Sequence, residues 1–202
     1  MILALDTSTA ACTAALFDGL GECIARRDEL IGRGHSERLV PMIAEMLDGR
    51  KADRILVGTG PGSFTGIRVG IAAAHGLAIG WDADLAGMSS LGLMACGVTV
   101  SGEVAVAVLG GHGELFVQQF DAFRRPAGDL LNLAPAAAAA ATKSELVVGS
   151  GAAQLVAARG WGEDREVWPS AADALALPEA LRTLPARPVY ARAPDARVKA
   201  AA

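Results

Sequence analysis

One order of elements occurs twice along this chain, and it limits the fold more than any other feature. The first pass opens with the apolar run MILALD, followed by ACTAALFD and ECIARRDEL. DGLG at Asp18–Gly21 separates the last two and signals a hairpin, so three strands are expected. In HSERLVPMIAEMLDGR, Leu39, Met42, Ile43, Met46 and Leu47 recur at helical spacing. Ser36 is the expected N-cap, and Pro41 is expected to cost a hydrogen bond or bend the first turn. RILVGTG is apolar without alternation, as suits a strand covered on both faces. SFTGIRVGIAAAHGLAIG reads as a helix, ADLAGM as a strand and SSLGLMACG as a third helix. The order then restarts. EVAVAVLG, ELFVQQFDA and DLLNL read as strands, PAAAAAATKS as a helix, ELVVGSG as a strand and GAAQLVAARG as a helix. REVW is the last expected strand, and SAADALALPEALRTL the last helix, interrupted at Pro178.

Each half therefore reads βββαβαβα, although the residues themselves barely repeat. Right-handed crossovers would give two α/β domains, residues 1–100 and 101–202. The hinge is expected near Val98–Gly102, and the tail 185–202 is a candidate to pack back on the first domain. An apolar content of 52% in 202 residues is enough for a substantial core. A net charge of -4 argues against a chain that binds nucleic acid over its whole surface. Arg182, Arg187, Arg192, Arg197 and Lys199 nonetheless make the end basic. Such a tail is usually solvated, and contact with a phosphate backbone is the alternative. Cys12, Cys23 and Cys96 are odd in number and lack C-x-x-C spacing, as expected of reduced thiols. No apolar run is long enough to span a bilayer, and the first residues lack a basic leader region, so a cytoplasmic location is expected.

GTGPGSFTGIR, residues 58–68, joins a buried strand to a helix. Five residues after Gly58 stands Ser63 and after Gly60 Thr65, so neither the P-loop nor the dinucleotide pattern is met. A weaker possibility survives: free N–H groups and the helix dipole favour an anion there. The candidate nucleotide or anion site is Asp6, Thr7, Ser8, Gly60, Gly62 and Ser63, against the alternative of a tight turn that simply needs glycine. Asp6 ends the first strand, where an actin-type ATPase places the acid on its magnesium side. His35, His75 and His112 form no zinc-binding spacing, and no serine lies in a G-x-S-x-G context, so neither metal ligand nor catalytic nucleophile is expected. Gly66, Gly70 and Ala74 fall four apart and make a smooth helical strip. With Arg68 and the apolar face Leu39, Met42, Ile43 and Met46, it forms a candidate partner or dimer interface. The alternative is packing against the domain's own sheet.

LALDTSTAACTAAL, GHSERLVPMI, VGTGPGSFTGIRVGIAAAHGLA and RPVYARAPDA, in that order, resemble the bacterial TsaB (YeaZ) family. The likeness covers the N-terminal half and the extreme tail, and Val57–Ala78 is its most specific part. It implies two duplicated actin-like (ribonuclease H-like) domains, shared with the larger relative TsaD in the actin-like, glycoprotease-like superfamily. TsaD-type proteins hold a metal with two histidines spaced H-x-x-x-H. Ser90 and Met94 align with them, so no metal is expected, because a hydroxyl and a thioether are poor replacements for imidazoles. The resemblance implies a non-catalytic subunit of the tRNA threonylcarbamoyladenosine machinery. Its implied partners are a TsaD-type catalytic subunit and a TsaE-type ATPase, with a homodimer when alone and tRNA reached only through the complex. No tightly bound cofactor is implied, with ATP or ADP a candidate at the interface of the complex. Two other classes remain in view: a stand-alone ATPase of the actin and sugar-kinase type, resting on Asp6 and the glycine turn, and a metalloprotease, resting on the family's glycoprotease label alone.

Overall fold

The computed structural model describes residues 1–189. The first lobe carries β1 (Ile2–Asp6), β2 (Ala11–Phe17), β3 (Cys23–Leu30), α1 (His35–Leu47), β4 (Arg54–Gly58), α2 (Phe64–Trp81), β5 (Asp84–Met88) and α3 (Ser90–Cys96). The second carries β6 (Val104–Leu109), β7 (Leu115–Phe120), β8 (Leu131–Leu133), α4 (Pro135–Ala141), β9 (Leu146–Val148), α5 (Ala152–Arg159) and β10 (Glu163–Arg165). The sheets have the orders β3-β2-β1-β4-β5 and β10-β9-β6-β7-β8. Read from the other edge, the second order repeats the first with β6 in the place of β1. In both lobes the first strand pairs antiparallel with the second and parallel with the fourth. This is the duplicated actin-like plan that the order of elements implies.

Alternation along β1 divides the first core. Leu3 and Leu5 point to one face, beneath Leu39, Met42, Ile43 and Met46 of α1 and Ile67 and Ile71 of α2. Ala4 points to the other, with Ala15, Phe17, Leu56 and Met88. That second face is closed by Leu93 of α3 and by Ala171, Ala174 and Leu177. Leu91 and Met94 of the same helix pack on Val104, Val106 and Phe120 of the second sheet. The helix α3 is therefore shared by both cores, and the small residues of β1 and β2 let the return segment lie close.

Four local expectations change. The first helix starts at His35 after Gly34 at φ 89, and the Ser36 hydroxyl bonds the Glu37 carboxylate instead of capping. Pro41 is accommodated on the exposed side of α1, inside the helix. The last strand is Glu163–Arg165 instead of residues 165–168, because its ladder extends only along the three residues of β9. The expected final helix is replaced by 3-10 turns at Ala171–Ala176 and Glu179–Leu181. Between them, Pro178 lacks the N–H a continuing helix needs, and Leu177 is drawn into the first lobe's core.

From Ala171 to Val189 the chain thus lies against the first lobe. Ser170 Oγ bonds Asp28, and Ala171 N–H donates to Thr13 Oγ1 at 2.8 Å. Leu184 and Gly87 exchange backbone bonds along the outer edge of β5, and Val189 N–H donates to the Thr59 carbonyl at 2.9 Å. Of the tail 185–202, the described part, 185–189, therefore lies on the first sheet. Arg192, Arg197 and Lys199 lie outside the described residues.

Candidate functional site

The end of β1 and the turn after β4 meet beneath the N-terminus of α2. Asp6, Thr7 and Ser8 are 0%, 1% and 0% exposed, so they face no open cleft. Asp6 Oδ1 accepts the N–H and the hydroxyl of Ser8, both at 2.7 Å. Its Oδ2 lies 2.5 Å from Ser90 Oγ, and that oxygen accepts the Gly60 N–H at 3.0 Å. Burial pushes the Asp6 carboxyl above its ordinary range, against the lowering effect of the Ser90 and Ser8 hydrogen bonds. One serine from α3 thus bridges the acid of β1 to the glycine turn of β4.

The glycines explain themselves by what surrounds them. A Cβ on Gly58 would lie 1.8 Å from Asp6 Oδ2, and one on Gly62 would lie 2.0 Å from the Ser8 carbonyl. On Gly66 it would meet the Thr7 carbonyl at 2.1 Å, and on Gly70 Thr7 Oγ1 at 2.5 Å. Gly60, at φ 89, is a position where side chains rarely fit at all. The turn is glycine-rich so that residues 6–8 can be enclosed. Ser63 caps α2 by accepting the Gly66 N–H at 3.1 Å, and its own N–H goes to Ser8. Of the candidate anion ligands, Asp6, Thr7, Ser8 and Gly60 are buried, Gly62 is half-buried and Ser63 alone is exposed. Ser63, Phe64 and Thr65 at the start of α2 are exposed, whereas the side of the turn facing Asp6 is packed by the chain itself. The glycines of GSG at 149–151 are similarly tight: a Cβ on Gly149 would lie 2.4 Å from the Ala107 carbonyl.

The metal-side comparison follows from the same geometry. Ser90 is engaged with Asp6 and Gly60, and Met94, 1% exposed, is packed in the second core. These two residues do not fit a metal. Among the described residues no three His, Cys, Asp or Glu side chains gather in a group able to hold one. His35 Nε2 lies 3.2 Å from the Ala11 carbonyl and His75 Nε2 3.3 Å from the Ala186 carbonyl, and both contacts are structural.

Most of the residues expected at the candidate interface face inward. Leu39, Met42, Ile43 and Met46 are 0–4% exposed and form the underside of α1. Gly66, Gly70 and Ala74 are buried on the sheet side of α2. Their smallness serves the close approach to Thr7. Arg68 is exposed, with its guanidinium 3.3 Å from the centre of the Phe64 ring. The solvent sides of the two helices carry Val40, Pro41 and Ala44 on α1 and Ala72, Gly76, Ile79 and Gly80 on α2. A Cβ on Gly76 or Gly80 meets nothing within 4 Å. Sequence reasoning misses this outer strip although its signal is present: Ala72, Gly76 and Gly80 are also spaced by four.

Comparison with known proteins fits this geometry. A family model described as TsaD, tRNA N6-adenosine threonylcarbamoyltransferase, matches residues 26–148. The tRNA threonylcarbamoyladenosine biosynthesis protein TsaB of Escherichia coli is 41% identical over 102 residues, which cover 48% of this chain and 43% of that one. Its namesake in Haemophilus influenzae is 45% identical over 100 residues, 46% of this chain and 41% of that one. The chain thus spans less than half the length of these curated relatives in the matched region. Over almost its whole length it resembles YeaZ from Pseudomonas aeruginosa, with a TM-score of 0.78 and 27% identity, covering 94% of this chain and 98% of that one. A second structure, an uncharacterized protein with similarity to peptidase YEAZ from Pseudomonas aeruginosa, gives a TM-score of 0.77 and 30% identity over 95% of this chain and 99% of that one. With the duplicated fold and the enclosed glycine turn, these matches show that the chain belongs to the TsaB (YeaZ) family.

Proposed function

We propose that the chain is a non-catalytic subunit of tRNA threonylcarbamoyladenosine biosynthesis. In this reading it binds and supports a TsaD-type subunit, which transfers threonylcarbamoyl to the adenosine beside the anticodon. The knot of Asp6, Ser90 and Gly60 carries the proposal. Where the transferase would need an open, metal-binding site, this chain has a buried acid tied to a serine and a turn filled by its own backbone. The same knot speaks against a stand-alone ATPase, since the acid that would face magnesium is enclosed. The peptidase wording attached to one structural relative finds no metal-ligand cluster among the described residues here.

The outer sides of α1 and α2 are the docking face in this reading. The strip Ala72–Gly76–Gly80 is smooth and uncharged, and Val40, Pro41 and Ile79 add exposed apolar area, a composition suited to a protein partner. The TsaD-type subunit is its occupant in the complex, and a second copy of this chain is its occupant when alone. A TsaE-type ATPase, ATP or ADP at the interface of the complex, tRNA reached through the complex and a cytoplasmic location complete the proposal. Among the described residues no helix is long and apolar enough to cross a membrane. Reconstitution is the test. TsaD-type and TsaE-type subunits are assayed for modified tRNA with and without this chain. Full-rate modification in its absence sinks the reading.

A further inference from the structure

Residues 97–103 join the lobes between α3 and β6, and they contain neither helix nor strand. Three of their carbonyl groups converge on one side chain. Arg124 Nη2 donates to the Val98 carbonyl at 3.1 Å and to the Val100 carbonyl at 2.9 Å. Its Nη1 donates to the Gly102 carbonyl at 3.0 Å and reaches the Asp121 carbonyl at 3.4 Å. Alternate carbonyls of an irregular segment are thus gathered around one guanidinium. A planar fork with several fixed donors suits that task, and a single ammonium does not.

The placement of this arginine is itself specified. It stands in the turn after β7, where the Asp121 carboxylate accepts the N–H groups of Phe123 at 2.9 Å and Arg125 at 2.8 Å. The Asp121 N–H closes the turn onto the Arg125 carbonyl at 2.9 Å. Arg124 occupies the left-handed region, φ 60, which is unfavourable for a residue with a Cβ. A glycine would relieve the backbone but abolish the bonds to the linker. The linker is also anchored where it begins: Val98 is 6% exposed in the second core, directly after the helix both lobes share.

We infer that Arg124 is the positioning residue of the inter-lobe linker, winding residues 98–102 around its guanidinium and so setting the angle between the lobes. Without it, three carbonyl groups of the linker lose their common donor, and the end of α3 is freed to move against β6. This is independent of which partner the chain serves.

Cys96, the last residue of α3, provides a reporter. It is half-buried, its Sγ lies 3.6 Å from the Ala176 carbonyl, and burial pushes its thiol up to about 11. In the intact linker it should react slowly. The experiment uses the full chain carrying Cys23→Ser, which removes the exposed thiol; Cys12 is 0% exposed. Arg124→Met keeps the apolar stem and removes the donors. Arg159→Met is the control, because Arg159 binds the carbonyls of Ser144, Glu145 and Trp161 within the second lobe and does not touch the linker. Labelling of Cys96 by a disulfide reagent and amide hydrogen exchange over 97–103 are read at one pH. Arg124→Met should raise both by about tenfold while β1 and β4 stay protected. Arg159→Met should leave both at the parental rate. Arg124→Lys, the variant to use if the methionine chain does not fold, should fall between parent and methionine, at about threefold. Parental rates in Arg124→Met or Arg124→Lys overturn the inference, as does an equal acceleration in Arg159→Met.

Discussion

Gly66 and Gly76 sit on the same helix and look alike in sequence, yet alanine should act on them in opposite directions. At Gly76 the new methyl group enters open space. The change then reads only the difference in helix propensity, a gain of about 0.8–1 kcal/mol. At Gly66 the same gain in propensity meets the Thr7 carbonyl 2.1 Å from the new carbon. Ordinary contact needs more than 3.4 Å, so α2 must move by more than 1 Å or β1 must give way. The end of β1 cannot move freely, because Thr7 Oγ1 also donates to the Gly66 carbonyl at 2.7 Å and Ser8 is held by Asp6 and Ser63. Overpacking of this kind costs about 1–3 kcal/mol, so after the propensity gain the net change at Gly66 is destabilising by up to about 2 kcal/mol. For a chain of this size each kcal/mol moves the midpoint by roughly 2–4 °C. Calorimetry or thermal circular dichroism should therefore place Gly76→Ala a few degrees above the parent and Gly66→Ala below it by up to several degrees. Equal shifts in the two variants would refute the assignment of the inner strip to the core and the outer strip to the surface.

The other predictions concern the docking face, the knot and its titration. Gly76→Arg should abolish co-purification with a TsaD-type subunit while leaving the melting midpoint within a degree or two of the parent, whereas Gly70→Arg should unfold the chain, since its side chain is directed at Thr7. Ser90→Ala should cost about 1–3 kcal/mol in urea unfolding, because the Gly60 N–H and Asp6 Oδ2 both lose a partner in a buried site. For Asp6 the folded carboxyl titrates above its unfolded value of 3.8, so the unfolded chain releases the proton first as pH rises. Its contribution to stability is present below pH 3.8 and is lost as pH climbs through the folded value. Parent minus Asp6→Asn stability, measured by denaturant unfolding between pH 3.5 and 8, should therefore fall as pH rises; a difference that grows with pH contradicts the burial argument.

Much of the first lobe is legible in the sequence because its patterns admit one solution. Leu39, Met42, Ile43 and Met46 form a single apolar stripe on a helix otherwise rich in charge, and a stripe of that kind must cover a sheet. The second helix has no single stripe. Between Phe64 and Trp81 the formally charged residue is Arg68, and two small-residue strips run along the helix, Gly66–Gly70–Ala74 and Ala72–Gly76–Gly80. Either could face inward, and sequence alone cannot choose. The choice is made by residues 7 and 8, which must be enclosed and need glycine opposite them. The C-terminal segment departs from its expected helix for a related reason. SAADALALPEAL has helical spacing, but its leucines and alanines serve a sheet face already shaped by small residues of β1 and β2, and Pro178 allows the chain to follow it in short turns.

The chain matches a transferase family model across residues 26–148, yet Ser90 and Met94 stand where the resemblance puts two imidazoles. The first lobe ends β1 in an acid and turns β4 into α2 through glycines. What decides the outcome is the group offered to that acid from α3. Here it is the Ser90 hydroxyl, which can donate to Asp6 and at the same time accept the Gly60 N–H. That single bridge satisfies two buried polar groups and closes the turn over the acid. Met94, one helical turn further on, places a thioether in the second core and removes the other polar position. A site closed by such short, mutually satisfied bonds gains nothing from opening, because each group released into the interior would lack a partner. Restoring imidazoles by Ser90→His and Met94→His should therefore not produce a metal site. It should leave Asp6 and the Gly60 N–H without their bridge and put a polar ring in an apolar core. Equilibrium dialysis with zinc or iron on a folded double variant is the check. Stoichiometric metal at unchanged stability would mean that the site is closed by two side chains alone, and not by the backbone packed around it.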